Sequence, residues 1–215
     1  MLRAASALLL ASSALAQKCA TPAPPPSVNY SLSNFWGSWF EIARVQTEGG
    51  NLIQQFCACT NIIYTPHNAS AGAAGNASDT DVNNSCRFEN AKGAWLNATS
   101  YLTQGGSAGG HWSEAYFPGG PQASYNVIIA GSDARGVDYF VEYDCSIGVL
   151  GQSNYCLHFL SREPLGFDPA LLKALVHQAT VTMALNPENR VLNMTMQDQG
   201  ENWPCLSASF HKGSI

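Results

Sequence analysis

Short strand-like segments, separated by glycine and proline at close spacing, constrain the fold of this chain more than any other feature. Within several of them apolar and polar side chains alternate, which is typical of β-strands with one buried face. One predicted strand follows Gly37, and the others cover residues 57–65, 85–90, 94–102, 111–117, 125–129, 137–144 and 155–162. Eight short strands with turn signals between them predict a β-sandwich or a β-barrel.

One later segment has the pattern of a helix instead. Asp168 can cap a helix with its carboxylate, and Pro169 suits the first helical position because its missing N–H would have no partner there. Leucine and valine side chains then recur at helical spacing. We therefore predict one amphipathic helix over residues 169–185, which ends before Pro187, and a short ninth strand over residues 190–196.

The first 16 residues have the pattern of a secretory signal peptide. Arg3 gives a basic start, an apolar stretch follows, and Ala14-x-Ala16 resembles a cleavage site. We predict residues 1–16 as the signal peptide and residues 17–215 as one medium-sized domain. No apolar run reaches the 18 residues that suggest a membrane-spanning helix. A net charge of −5, with only 12% charged residues, argues against a nucleic-acid binder.

Cysteine and asparagine usage agree with secretion to the extracellular space. All seven cysteines follow the predicted signal peptide, and cysteines pair in oxidising compartments. Six asparagines lie in Asn-x-Ser/Thr sequons and are predicted glycosylation sites. They are Asn29, Asn68, Asn76, Asn83, Asn97 and Asn193.

Two motifs near the ends of the predicted strand set resemble those of the lipocalin family. The segment around Gly37-Ser38-Trp39 resembles the Gly-x-Trp motif that opens lipocalins, and Leu160-Ser161-Arg162 resembles the motif that closes their eighth strand. Within the family, the chain most resembles the apolipoprotein D group and its bacterial and plant relatives, in 125–128 and 194–205. The resemblance implies an all-β fold: an eight-stranded antiparallel up-and-down barrel with one C-terminal helix and a short ninth strand.

The resemblance assigns Gly37, Trp39 and Arg162 to the closed end of the barrel. Arg162 would lie over the Trp39 ring, an interaction worth roughly 0.5–2 kcal/mol. The alternative is an ordinary core tryptophan and a surface arginine. If Arg162 points inward, strand alternation turns Leu160 and His158 inward as well. Glu41 would share the inward face with Trp39, so it is either paired near the closed end or displaced by a bulge.

The resemblance also implies a function, the binding and carriage of a small hydrophobic or amphipathic ligand in the barrel. Candidate ligands are a fatty acid, sterol, retinoid or pigment. We expect a mainly apolar cavity in which Asn126 and His158 orient a polar group of the ligand, although His158 could instead contact only water. The predicted ligand-binding residues are Tyr64, Tyr116, Asn126, Ile128, His158 and Leu160. No metal site, cofactor or nucleic-acid partner is predicted. Association with a lipoprotein or membrane surface stays open, as does a monomer or weak dimer.

The resemblance pairs Cys19 with Cys145 and Cys59 with Cys205. A Cys57–Cys86 bond is also open, and Cys145–Cys156 is a rival for the first pair. We expect a carrier rather than an enzyme. The alternative function is a thiol-dependent lipocalin enzyme that acts on a lipid, such as a prostaglandin-type isomerase. Cys57 and Cys156 are its candidate thiols. A reactive thiol requires access and a lowered pKa, and His158 lies two residues from Cys156 with the same predicted orientation.

Overall fold

The computed structural model describes residues 19, 22, 35–48, 54–67, 79–104, 110–117, 119–120, 123–147, 151–164, 166–186, 189–197, 199 and 205. The predicted signal peptide and the sequons at Asn29, Asn68 and Asn76 lie outside these residues. No helix in the described part of the chain is both long and apolar enough to cross a membrane.

Eight antiparallel strands form a closed barrel. They are β1 (Gly37–Thr47), β2 (Cys57–Pro66), β3 (Thr80–Phe88), β4 (Trp95–Gln104), β5 (His111–Ala115), β6 (Ala123–Ser132), β7 (Asp138–Ile147) and β8 (Ser153–Ser161). Each strand pairs with the next along the chain, and β1 pairs with both β2 and β8. This closure confirms the predicted fold class.

The helix and ninth strand follow the barrel in the predicted order. A 3-10 turn, Gln54–Phe56, precedes β2; the α-helix α1 spans Pro169–His177, and β9 spans Leu192–Met196. The Asp168 side chain caps α1 by accepting bonds from the N–H groups of Ala170 and Leu171.

The helix departs from the prediction at its C-terminal end. The continuous helix predicted to residue 185 changes at Gln178 into a π-helical turn that ends at Thr182. Thr180 donates a hydrogen bond from Oγ1 to the carbonyl of Val176 at 2.8 Å. Such a bond competes with the regular backbone pattern, and the β-branched run 180–182 is itself unfavourable in a helix.

Helix α1 lies outside the barrel and covers one side of it. Leu172 and Leu175 pack there against the outward faces of β1, β6, β7 and β8. We call this cluster the outer core, and its strand residues are Ala43, Val45, Ile128, Ile129, Val141, Tyr143, Tyr155, Leu157 and Phe159. These strands are therefore buried on both faces.

A bulge in β1 divides that strand into two halves. The pairing of β1 with β8 shifts between Glu41 and Ala43. Glu41 remains inside the barrel, fully buried, whereas Ala43 and Val45 turn outward into the outer core. Of the two alternatives for Glu41, the structure contains the paired one: the carboxylate contacts His158 and Arg44, and the bulge follows Glu41 without displacing it.

The C-terminal segment fills the gap where β1 leaves β2. Pairing between these strands covers Gly37 to Phe40, and β9 pairs with β1 from Ala43 onward. Gln199 donates its side-chain amide to the carbonyls of Glu41 and Thr60, at 2.6 and 3.2 Å. One amide thus joins the two diverging strands.

Three disulfides link distant parts of the chain. The structure contains the Cys19–Cys145 and Cys59–Cys205 bonds that the resemblance implied, and Cys57–Cys86 as well. The first two span 126 and 146 residues, so each contributes about 4–5 kcal/mol in the chain-entropy model. The seventh cysteine, Cys156, is free and buried, which rules out the rival Cys145–Cys156 pair.

Candidate functional site

The barrel is sealed at the end where β1 begins and β8 ends. The Arg162 guanidinium lies 3.8 Å above the centre of the Trp39 ring. It also donates to the carbonyls of Ser38 and Trp36, at 2.9 and 2.7 Å. Gly37 has φ +104°, and a Cβ there would lie 3.0 Å from the Arg162 Nη1. The seal therefore requires glycine at this position.

Aromatic side chains fill the interior directly above the seal. Trp39 meets Phe140 edge-on at 4.5 Å between ring centres, and Phe35 stacks on Trp112 at 5.1 Å. We call this cluster the closed-end core: Phe35, Trp39, Ile62, Tyr64, Val82, Leu102, Trp112, Tyr125, Val127, Phe140 and Leu160. Its dense packing indicates that this half of the interior stabilises the fold.

Charged side chains replace aromatic ones in the layer above. His158 bonds from Nδ1 to Glu41 Oε1 at 2.6 Å, and its Nε2 lies 3.6 Å from Asp144 Oδ2. Arg44 lies 3.4 Å from Glu41 Oε2 and donates to backbone carbonyls, including that of Cys57 at 2.8 Å. We call this the polar layer: Glu41, Arg44, Glu114, Glu142, Asp144 and His158.

The polar layer shifts the pKa of its members in opposite directions. Burial alone would raise the pKa of Glu41, but Arg44 and His158 outweigh it and lower that pKa. Burial would lower the pKa of His158, but Cys156 and the Glu41 carboxylate raise it well above its usual value. Glu41 and His158 therefore form a charged pair at neutral pH.

Of the remaining carboxyl groups, Asp144 lies 3.6 Å from His158 Nε2, whereas Glu114 and Glu142 form no ion pair with any described residue. Burial and the Asp144 charge raise the pKa of Glu114 to about 7 and that of Glu142 well above its usual range. Burial raises the pKa of Asp144 as well. Tyr125 donates to Glu142 at 2.8 Å, so Tyr64 donates to Tyr125 across their 2.6 Å contact. A chain of two phenols thus connects the closed-end core to this carboxyl group.

Members of the polar layer line one of two spaces, and the second space meets the first at Val82 and Tyr116. An enclosed cavity of about 20 Å³ is lined by Glu114, Glu142, Asp144 and His158 among others. This volume holds one water molecule or one ion, since a water needs about 10–15 Å³. An open cleft of about 760 Å³ lies beside β4, which pairs with β5 only from Tyr101 to Gln104.

The comparison with solved structures identifies this architecture. The sequence matches no protein-family model, and no curated protein resembles it significantly. Insecticyanin from the tobacco hornworm Manduca sexta is 17% identical, with 89% of this chain and 92% of that one covered and a TM-score of 0.56. Lobster apocrustacyanin A1 is 15% identical, with 80% and 81% covered and a TM-score of 0.54.

The chain has the lipocalin fold. An odorant-binding protein is a third neighbour, 9% identical over 79% of this chain and 94% of its own, with a TM-score of 0.50. At these identities the comparison establishes the fold alone. The closer resemblance to the apolipoprotein D group stays a prediction.

Within this lipocalin barrel, four predicted ligand-binding residues point inward. Tyr64 and Leu160 belong to the closed-end core, and His158 belongs to the polar layer. Tyr116 is about half exposed and lines both the cavity and the cleft. Leu160 is fully buried among packed side chains, so it shapes the interior without facing either space.

The predicted inward orientation of Asn126 and Ile128 is wrong. Ile128 belongs to the outer core, and the Asn126 amide bonds to the Tyr143 carbonyl and to His111 on the same outer face. The inward residues of β6 are Tyr125 and Val127. Because α1 covers the outside of β6, both of its faces are apolar, and no alternation marks the inner one.

The candidate thiols of the enzyme alternative are unsuited to catalysis in this structure. Cys57 is bonded to Cys86. Burial raises the pKa of Cys156, although His158 lies close by and opposes the shift. A buried thiol with a raised pKa is a poor nucleophile.

The sequence-based prediction missed most of the polar layer. Phe140, Glu142 and Asp144 occupy every second position of β7 and therefore share one face of the strand. Because Phe140 faces inward, this period-two pattern marks both carboxylates as inward residues. Glu114 occupies the equivalent phase on β5 beside the inward Trp112. The three described sequon residues, Asn83, Asn97 and Asn193, are exposed; their glycosylation stays a prediction.

Proposed function

We propose that this protein is a carrier that binds one small amphipathic molecule, with the apolar part in the cleft and the polar end at the polar layer. One observation carries the proposal: Val82 and Tyr116 line both the cleft and the enclosed cavity. The cleft volume falls within the range of about 300–1,000 Å³ that is usual for small-molecule sites. A structural neighbour named for odorant binding supports the same class of function.

The charge of the polar layer favours some ligands over others. Glu114, Glu142 and Asp144 line the cavity below Tyr116. A hydroxyl or amine placed there would donate to these oxygens, whereas the charge of a ligand carboxylate would raise the already raised pKa values of these carboxyl groups further. We therefore propose an alcohol or amine headgroup, which disfavours fatty acids among the candidate ligands. Apolar burial would supply affinity at about 25 cal/mol per Å².

We propose as well that the protein is secreted. Three disulfides support this, because such bonds persist mainly in oxidising compartments. The predicted signal peptide and the exposed sequons agree with it. We propose no catalytic activity for Cys156.

The headgroup proposal can be tested with three ligands that share one hydrocarbon chain. Dodecylamine, dodecanol and dodecanoate would be titrated into chelator-treated protein while tryptophan fluorescence is followed. We expect the carboxylate to bind about tenfold more weakly than the other two, a difference of about 1.4 kcal/mol. Equal or tighter binding of dodecanoate would contradict an acidic headgroup site.

The place of binding is tested by substitution at the junction of the two spaces. Tyr116→Ala should weaken all three ligands, because Tyr116 lines both spaces. Truncating a contact aromatic costs about 1–2 kcal/mol of binding free energy, or roughly tenfold in affinity. Met194→Ala is the control, since Met194 is equally exposed on β9 outside the barrel, and it should change nothing. Unchanged binding to the Tyr116 variant would place the site elsewhere.

A further inference from the structure

Three potential metal ligands converge inside the polar layer. Glu142, Asp144 and His158 each offer one ligand atom, and these atoms all lie within 4.8 Å of one another. Two adjacent inward positions of β7 supply the carboxylates, and β8 supplies the imidazole directly opposite Glu142. The strands therefore hold the three groups on a rigid wall rather than on loops.

One nitrogen of the cluster is buried without a hydrogen-bond partner. Among the described residues, His158 Nε2 has none, although the side chain is only 3% exposed. Asp144 Oδ1 is also without one. A buried polar atom without a partner costs about 1–3 kcal/mol, so its presence requires an explanation. A metal ion that displaces the Nε2 proton of the charged imidazole, which would pass to solvent, would bind this nitrogen and the carboxylates and so satisfy both atoms.

The opposite side of the imidazole is fixed. Nδ1 bonds to Glu41 Oε1 at 2.6 Å, and Arg44 in turn contacts Glu41. Histidines that bind metals almost always have their second nitrogen held by a carboxylate or carbonyl in this way. Glu41 is therefore a positioning residue that aims Nε2 at Glu142 and Asp144.

We propose that Glu142, Asp144 and His158 bind one divalent transition-metal ion of the Zn²⁺ class. The 20 Å³ cavity that all three line is large enough for one ion or water. Ligand atoms around tetrahedral zinc lie about 3.4 Å apart, given bonds of about 2.05 Å. His158 Nε2 and Asp144 Oδ2 are already 3.6 Å apart. One imidazole and two carboxylates suit Zn²⁺ better than Ca²⁺ or Mg²⁺, with water as fourth ligand.

The metal site goes beyond the proposed carrier function, and either can fail alone. Metal binding is measured on ligand-free protein, and the dodecyl ligands are measured on chelator-treated protein. Loss of one therefore leaves the other result interpretable.

The experiment is a calorimetric titration, in which Zn²⁺ is added to the chelator-treated protein expressed from the full chain. We expect one ion per chain. Asp144→Asn should weaken binding at least about 100-fold, because removing a ligand costs no less than the 10–100-fold typical of second-shell changes. The Asp144 side chain is 27% exposed, so this isosteric change is compatible with folding. His158→Asn should have an effect at least as large.

Two control variants test whether zinc affinity depends on the three proposed ligands, on the charge of the cavity in general, or on a histidine elsewhere on the protein. Glu114→Gln removes a carboxyl group that lines the same cavity but lies outside the three-ligand set, and should change affinity less than about threefold. His67→Asn removes a half-exposed histidine that contacts Asp81 at 2.8 Å, and should leave affinity unchanged.

Co²⁺ provides a second measurement that does not depend on affinity. Cobalt in the site should give visible d–d bands that Zn²⁺ displaces, and Asp144→Asn should abolish or shift them. The proposal is overturned if no ion binds, if Asp144→Asn binds zinc as tightly as the parent protein, or if only His67→Asn loses binding.

Discussion

The closed-end core and the polar layer lie next to each other inside one barrel, and both are buried. In the closed-end core, Trp39 donates from its indole to the Phe35 carbonyl at 2.7 Å and is covered by Arg162. In the polar layer, carboxyl groups with raised pKa values lie beside a histidine whose Nε2 has no hydrogen-bond partner in the described part of the chain. Buried polar atoms without partners reduce stability, so a layer that retains them is better explained by binding than by folding.

The largest expected effect lies in the closed-end core. Trp39→Ala should lower the free energy of unfolding by about 3–5 kcal/mol, as for other large buried aromatics. Urea denaturation measures it. Trp95→Ala is a matched control, because Arg87 lies 4.0 Å from the Trp95 ring centre in the same kind of stack, outside any buried core cluster. The control should cost no more than about 1 kcal/mol. Similar losses in both variants would remove the distinction between the two regions.

The second largest expected effect is an increase in the free energy of unfolding, caused by a substitution in the polar layer. The pKa of Glu114 is about 7 in the folded protein and near 4.5 when exposed. Its contribution to stability is therefore full below pH 4.5 and is lost as the pH rises through 7. Glu114→Gln removes the group whose ionisation causes this loss of stability. With both proteins measured free of metal, the variant should therefore be more stable than the parent at pH 8 by about 2–3 kcal/mol. The two proteins should converge at pH 4.

Denaturation with urea at pH 4, 6 and 8, in the presence of a chelator, measures this pH dependence. Glu163→Gln is the control, since Glu163 is 47% exposed and lies 3.7 Å from Arg135. It should leave the pH profile unchanged within about 0.5 kcal/mol. A Glu114 variant that parallels the parent at every pH would mean that its carboxyl group is not strained by burial.

The smallest expected effect tests the seal. Gly37→Ala should cost about 2 kcal/mol, because φ is positive there and a Cβ would approach Arg162 at 3.0 Å. Gly136→Ala should cost only about 1 kcal/mol, since Gly136 has φ +82° with nothing within 4 Å of a Cβ. The difference in urea midpoint measures the contact with Arg162. Equal costs would show that backbone conformation alone requires Gly37.

The fold could be predicted because its signals are local. Turn residues separate the strands, Asp168 and Pro169 mark the start of α1, and the two lipocalin motifs lie at the correct ends. The orientation of β8 could also be predicted, because Arg162 fixes the phase of an unbulged strand. The end of the helix could not, since the π-helical turn depends on a side-chain bond of Thr180.

The site was less predictable because its geometry depends on contacts between strands. The register of β6 shifts between Val127 and Ile129, and β6 is apolar on both faces. Neither feature leaves a periodic signal in the sequence. The spacing Glu142-x-Asp144 does mark two inward carboxylates on β7, but only the barrel brings His158 opposite them. The pattern of one strand can therefore identify the two inward carboxylates, but it cannot identify the histidine that lies opposite them on the next strand.

The unpaired seventh cysteine has a further consequence for experiments on this protein. Cys156 is 2% exposed within the barrel wall, with its thiol 3.7 Å from Gln46 Oε1. An alkylating reagent can reach it only when the strands around it separate. Its modification rate therefore measures the equilibrium constant for that opening, in the same way as slow amide exchange does for a backbone N–H. Alkylation of Cys156 thus reports how often the barrel opens, and bound ligand or metal should lower the alkylation rate.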